Sequence, residues 1–225
     1  WLMKKMKTQT KPLVVKEGRT ELSTDNRTFI YPALGPGNYE QVREQIDAAG
    51  LQRPTMADTA DLVHTAFHSD DKYSQEIRDI VKDRRLWAFE RNLYVPKGVY
   101  IYPEPDNGRP LNESELVERL EASDPSVRFV HFGFEIGEMR PMQLAKNDYV
   151  IALAGEEGAD KLAEVADQFE RKPYLWSFKS VNEPTTRVSA LNSGWVFDRR
   201  LSVYGDYLGD YRDGRAFGVR SAREK

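Results

Sequence analysis

From Asn38 the hydrophobic period of this chain is helical until it changes near Leu86, and that change restricts its fold more than any other feature. Phe29-Ile30-Tyr31 is a short apolar strand candidate, and from Asn38 to Arg84 the apolar residues recur at helical spacing. Asn38 is a good N-cap, Val42 and Ile46 stand at i, i+4 within Tyr39–Ala49, and Gly50 supplies a stop. Thr55 caps a second segment, Met56–Phe67, with Leu62, Val63, Ala66 and Phe67 on one side. Ile77, Ile80 and Val81 form the stripe of a third, Tyr73 to about Arg84. Beyond it, Leu86–Val95 and Gly98–Tyr102 are aromatic and β-branched around a Pro-Lys-Gly turn, the pattern of a hairpin.

Further short elements are expected downstream. Asn112 or Ser114 caps a helix to Leu120. Val127–Ile136 reads as a strand pair or bent strand, Tyr149–Ala154 as a short buried strand, and Glu156–Phe169 as an amphipathic helix with Leu162, Val165, Ala166 and Phe169 inward. Tyr174–Val181 and Arg187–Leu191 read as strands. Helices lead, short strands follow in clusters, and no βαβ alternation appears, so the expected class is α+β. Residues 1–28 are poor in large apolar groups and read as an N-terminal arm, with one strand at Pro12–Lys16. Residues 29–225 read as a single domain, long enough to bury a core without staples.

Several function classes are disfavoured. The chain has no cysteine, which removes disulfides, thiol nucleophiles and Cys-ligated metals. A virion or the cytoplasm is therefore expected rather than disulfide-forming secretion. The net charge of −3 gives no nucleic-acid footprint, and the lysines at 4, 5, 7, 11 and 16 read as a solvated arm. No apolar run approaches the roughly 20 residues of a membrane helix. Trp1–Lys16 lacks the apolar centre of a secretory signal.

Motifs with chemical content are few. His64 and His68 stand at i, i+4 on one helix face, a spacing that suits metal ligation, and His131 could complete a three-histidine site. The helix lacks the glutamate of a metalloprotease motif. Gly35-Pro36-Gly37 lacks the Lys and Ser/Thr of a phosphate loop and reads as part of a turn-rich Pro32–Gly37. Gly155-Glu156-Glu157-Gly158 is acidic and reads as a helix start. Asp70-Asp71 and Glu156-Glu157 read as solvated charge, and Glu104–Pro110 as a loop rather than a calcium site.

The informative segment lies between Asn192 and Arg215. It is rich in Tyr, Asp, Gly, Arg and Ser, the composition of a binding surface. Lys, Glu, Gln and Met make up roughly a fifth of the chain, yet none occurs there. The gap has a coding explanation. Asparagine codons whose two adenines are free to change reach every residue of this segment except Trp195. They cannot reach Lys, Glu, Gln, Met or Trp.

In this respect the segment resembles the variable proteins of diversity-generating retroelements, in which a C-terminal repeat is rewritten by adenine-directed mutagenesis. The resemblance is specific over about the last 35 residues. Arg187–Leu191 is similar to the fixed strand before the repeat, and Ala216–Arg220 to the Gly-containing strand that ends the family. Absence of cysteine and a helical first half are most like archaeal or archaeal-virus members.

The resemblance implies a C-type-lectin-like fold of the formylglycine-generating-enzyme type, with a variable region at about 190–216. It implies ligand-binding, solvent-facing positions at Asn192, Ser193, Gly194, Val196, Phe197, Asp198, Arg199, Arg200, Ser202, Tyr204, Asp206, Tyr207, Leu208, Tyr211, Arg212, Asp213 and Arg215. Trp195, Leu201, Val203, Gly205, Gly209, Asp210, Gly214 and Gly218 are then framework. Without cysteine, the copper-dependent oxidation of the enzyme branch is ruled out. The implied function is display of a diversified surface to a protein or glycan ligand on another cell or particle, as in virus–host attachment. This reading has no catalytic residue, no cofactor and no metal. Two alternatives stand beside it. One is a divalent-metal hydrolase using His64, His68 and His131. The other is a non-variable virion structural protein with Asn192–Arg215 buried at a subunit interface.

Overall fold

The computed structural model describes residues 15–16, 19–193 and 199–220. In chain order its elements are β1 (Val15–Lys16), β2 (Arg19–Ser23), β3 (Thr28–Tyr31), β4 (Leu34–Gly37), α1 (Tyr39–Ala48), α2 (Met56–Phe67), α3 (Lys72–Asp83), β5 (Leu86–Val95), β6 (Gly98–Pro103), α4 (Glu113–Glu121), β7 (Arg128–His131), β8 (Gly137–Glu138), α5 (Pro141–Ala145), α6 (Asp148–Ala166), β9 (Tyr174–Trp176), β10 (Thr185–Asn192), β11 (Ser202–Tyr207) and β12 (Gly214–Ala216). Helices and sheets of mixed strand direction make this an α+β chain, as expected. Among the described residues no helix is long and apolar enough to cross a membrane.

The helices start where cap chemistry dictates. Asn38, Thr55 and Asn112 each accept a hydrogen bond from the N3 backbone amide, and the N3 side chain answers the cap amide in a capping box. Asp71 caps α3 through the amides of Tyr73 and Ser74.

β5 is the spine of the larger sheet. It pairs with β10 along one edge, and with β12 and then β6 along the other. All ten of its residues are buried, as a strand covered on both faces requires. Alternate side chains enter different layers. Leu86, Ala88 and Tyr94 join the main core with α2, α3 and α6, whereas Trp87 and Phe89 pack with Tyr39, Val42 and Ile46 of α1. Leu93 and Val95 meet Leu116 of α4 in a third cluster. Outward from β10, the sheet continues through β11 and β9 to β8, with β9 parallel to β11.

Several expectations need correction. The supposed arm is partly structured: β1, β2 and β3 form an antiparallel sheet, and Leu22 is fully buried. The folded unit thus includes Arg19–Thr28, whose single large apolar side chain was too weak a signal. Residues 1–14 lie outside the described residues. Tyr149–Ala154 is helical, not a strand. Asn147 caps it, and Tyr149, Val150, Leu153 and Ala154 are buried at helical spacing. Gly155, with φ +74° and ψ 166°, breaks α6 into two helical stretches there. Val127–Ile136 and Tyr174–Val181 contribute only β7 and β9, Pro32–Gly37 contains β4, and α5 was not anticipated. The closing strand is Gly214–Ala216, two residues earlier than expected. Val219 then bridges Phe29 on one side and Gln52 on the other.

Candidate functional site

The C-terminal sheet carries a row of aromatic rings, and a bulge in β11 makes it. Val188 of β10 lies opposite Tyr207 and Ala190 opposite Tyr204, so β11 has one residue more than β10 between these pairs. On a regular strand Tyr204 and Tyr207 would face opposite sides. Here their rings stack, with centroids 4.1 Å apart and planes at 11°. β9 extends the row. Trp176 lies directly across from Tyr204 and stacks on it at 5.7 Å and 2°, and Tyr174 is 4.3 Å beyond. At the other end Tyr211 meets Tyr207 edge-on at 5.3 Å.

Arg85, at the approach to β5, ties this row together. Its Nε donates to the Tyr207 hydroxyl at 3.0 Å, and its Nη1 donates to both Asp213 carboxylate oxygens at 2.7 and 2.8 Å. The guanidinium lies 3.7 Å over the Tyr211 ring and 5.3 Å over Tyr207. Burial opposes the Arg85 charge, but Tyr207 and Asp213 more than restore it and raise its pKa. Burial also raises the Tyr204 and Tyr207 phenols above their ordinary value, so both stay neutral and present flat faces with one polar tip. Asp206, half-buried on the same strand, is likewise raised by burial, against the opposing influence of its own backbone amide and Arg187.

Beneath the row the backbone is held where side chains cannot fit. A Cβ on Gly205 would overlap the Tyr149 phenol oxygen, and the Gly205 carbonyl accepts from the Tyr94 hydroxyl at 3.0 Å. A Cβ on Gly214 would overlap the Trp87 indole. Asn192 closes the near end. Its Nδ2 reaches the Tyr207 hydroxyl at 3.5 Å, while among the described residues no donor meets its buried Oδ1.

Placement of the sequence-derived positions is uneven. Arg199, Leu208, Tyr211 and Arg212 are exposed, and Arg200, Tyr204, Asp206, Tyr207, Asp213 and Arg215 are half-buried. Asn192, Ser193 and Ser202 are buried, contrary to their expected solvent-facing position. Ser193 tucks under the end of α3, its amide donating to the Val81 carbonyl and its hydroxyl to that of Lys82. Ser202 pairs inside the sheet. Of the framework set, Leu201, Val203, Gly205, Gly209, Gly214 and Gly218 are buried, and Asp210 is exposed. Gly194, Trp195, Val196, Phe197 and Asp198 lie outside the described residues.

Sequence reasoning missed Arg85, Tyr174 and Trp176. The alternation Tyr-Leu-Trp at 174–176 signals one aromatic face, but nothing local says that it lies beside Tyr204. The three histidines do not converge. His64 and His68 come together with Glu164, while His131 sits on β7 against Phe129.

Comparison with protein-family models, with curated proteins and with solved structures finds no match.

Proposed function

We propose that this chain is a ligand-binding display protein whose C-terminal face is diversified, as in the variable proteins of diversity-generating retroelements, on a C-type-lectin-like scaffold. The observation that carries this reading is the ring row of Tyr174, Trp176, Tyr204, Tyr207 and Tyr211, clamped by Arg85 and backed by Gly205 and Gly214. Tyr, Trp and Arg give wide contact for little lost side-chain freedom, which is what a binding surface for a protein or glycan needs. The division of labour also supports it. Side chains at Arg199, Leu208, Tyr211 and Arg212 project into solvent and can be exchanged without touching the core, whereas Leu201 and Val203 carry core packing.

The gene's own neighbourhood tests the proposal. A near-copy of the segment encoding Asn192–Arg215 is expected nearby, with adenines wherever the two copies differ, beside a reverse transcriptase gene. A completed locus holding neither would overturn it. Sibling chains should differ at the four exposed positions and keep Gly205 and Gly214. Substitutions spread evenly over both sets would count equally against it.

A further inference from the structure

At the C-terminal end of α2, His64 and His68 stand one turn apart with ring centroids 4.3 Å apart. Glu164 reaches them from α6, its Oε2 2.8 Å from His64 Nε2. One potential ligand atom from each residue lies within 4.8 Å of the other two. We propose that these three side chains form a site for one divalent first-row transition-metal ion, which would clamp α2 to α6. The proposal is independent of the binding role given to the sheet face.

The backbone at the helix end prepares one ligand. The amide of His68 bonds to the Thr65 carbonyl, not to that of His64 one turn back. The His64 carbonyl is thus one of the orphan acceptors of a helix terminus. It is satisfied by the His68 imidazole, whose Nδ1 lies 2.8 Å away. A carbonyl can only accept, so Nδ1 carries a proton, and in the neutral ring Nε2 is the nitrogen with the lone pair. A histidine that ligates through Nε2 is commonly held in this way by a second bond at Nδ1.

The other two ligands need small adjustments. Zinc–nitrogen and zinc–oxygen distances near 2.0–2.2 Å at tetrahedral angles put neighbouring ligand atoms about 3.3 Å apart. Inserting the ion between His64 Nε2 and Glu164 Oε2 opens their 2.8 Å contact by about half an ångström to this value and displaces the shared proton. Glu164 is solvent-exposed and can turn, whereas His64 is largely enclosed and fixes the position. Two imidazoles and one carboxylate favour Zn2+ or a neighbouring transition ion over Mg2+ or Ca2+, which prefer all-oxygen shells. The fourth position faces solvent and would hold water.

Zinc titration of the full chain, stripped with EDTA and dialysed, tests the site. Calorimetry is expected to show one ion per chain, bound in the micromolar range or tighter. His68→Ala and Glu164→Gln should each weaken binding about tenfold or more. His131→Ala, on β7 rather than on these helices, should leave it unchanged. At a hundredfold excess over the dissociation constant the melting temperature should rise by about 5 °C, and His68→Ala should abolish the rise. The metal-free melting temperature reports whether each variant is folded. Binding that survives both the His68 and Glu164 substitutions, that depends on His131, or that needs millimolar zinc would overturn the proposal.

Discussion

At Gly205 a methyl group has no room, and at Gly155 it has room but no comfortable backbone. A Cβ on Gly205 collides with the Tyr149 hydroxyl, which is itself fixed by donating to Asn92 Oδ1 at 2.8 Å. Gly205→Ala is expected to destabilise the chain by about 1–3 kcal/mol or more in urea unfolding, the range for overpacking a filled site. Around Gly155 there is nothing within 4 Å, but φ +74° with ψ 166° belongs almost only to glycine. Gly155→Ala should cost about 1–3 kcal/mol for that reason alone. Gly155→Asn should do no better, because this is not the left-handed helical region that Asn tolerates. The two glycines were unequally legible. Gly205 is among the framework positions that the resemblance implied, whereas Gly155 looks like any polar helix start. The burial of Asn192, Ser193 and Ser202 was not legible, because small polar residues fit loops and sheet interiors alike. Only the carbonyls of Val81 and Lys82 above Ser193 decide its case.

Among the elements, β5 has an irregularity that aims a carboxyl group at a helix. Val188 and Ser189 are consecutive on β10, yet their partners on β5 are Arg91 and Ala88. The two extra residues, Phe89 and Glu90, bulge out, and both Glu90 carboxylate oxygens accept from the Met56 amide in the first turn of α2, at 2.9 and 3.0 Å. Burial raises the Glu90 pKa to about 8, against the opposing pull of that amide and Arg128. The folded chain therefore keeps a proton that the unfolded chain releases above about pH 4.5. The stability this confers is whole below that pH and fades as pH rises through about 8. Wild type should lose up to a few kcal/mol between pH 5 and 8.5 in urea titrations. Glu90→Gln, which retains an oxygen for the Met56 amide, should show a flatter profile over the same window. Capped helices were the most legible elements, since Asn38, Thr55 and Asn112 announce themselves. Tyr149–Ala154 was misread because six apolar residues in a row carry no period. The bulges in β5 and β11 leave no sequence mark, so the convergence of Tyr204 and Tyr207 could not be foreseen.

Over the whole molecule, the exposed C-terminal positions and the core are separable. Leu208→Ser and Arg212→Ser should each shift stability by no more than about 0.5 kcal/mol, a change of one or two degrees in melting temperature. A larger loss would mean that this face is part of the fold and not merely carried by it. The α+β class was readable from the change of period at Leu86. The order of strands was not, because it depends on β12 returning to lie between β4 and β5. That return orders the events of synthesis. Val219 is held on both sides, exchanging two hydrogen bonds with Gln52, while Gly218 and Arg220 bond to Ile30 and Thr28. These last described residues join the small N-terminal sheet to the rest of the chain. A ribosome must therefore have translated all of Asn192–Asp213 in frame before the fold can close. Any stop or frameshift within that stretch removes these closing bonds, so a completed fold certifies that the whole segment was read in frame.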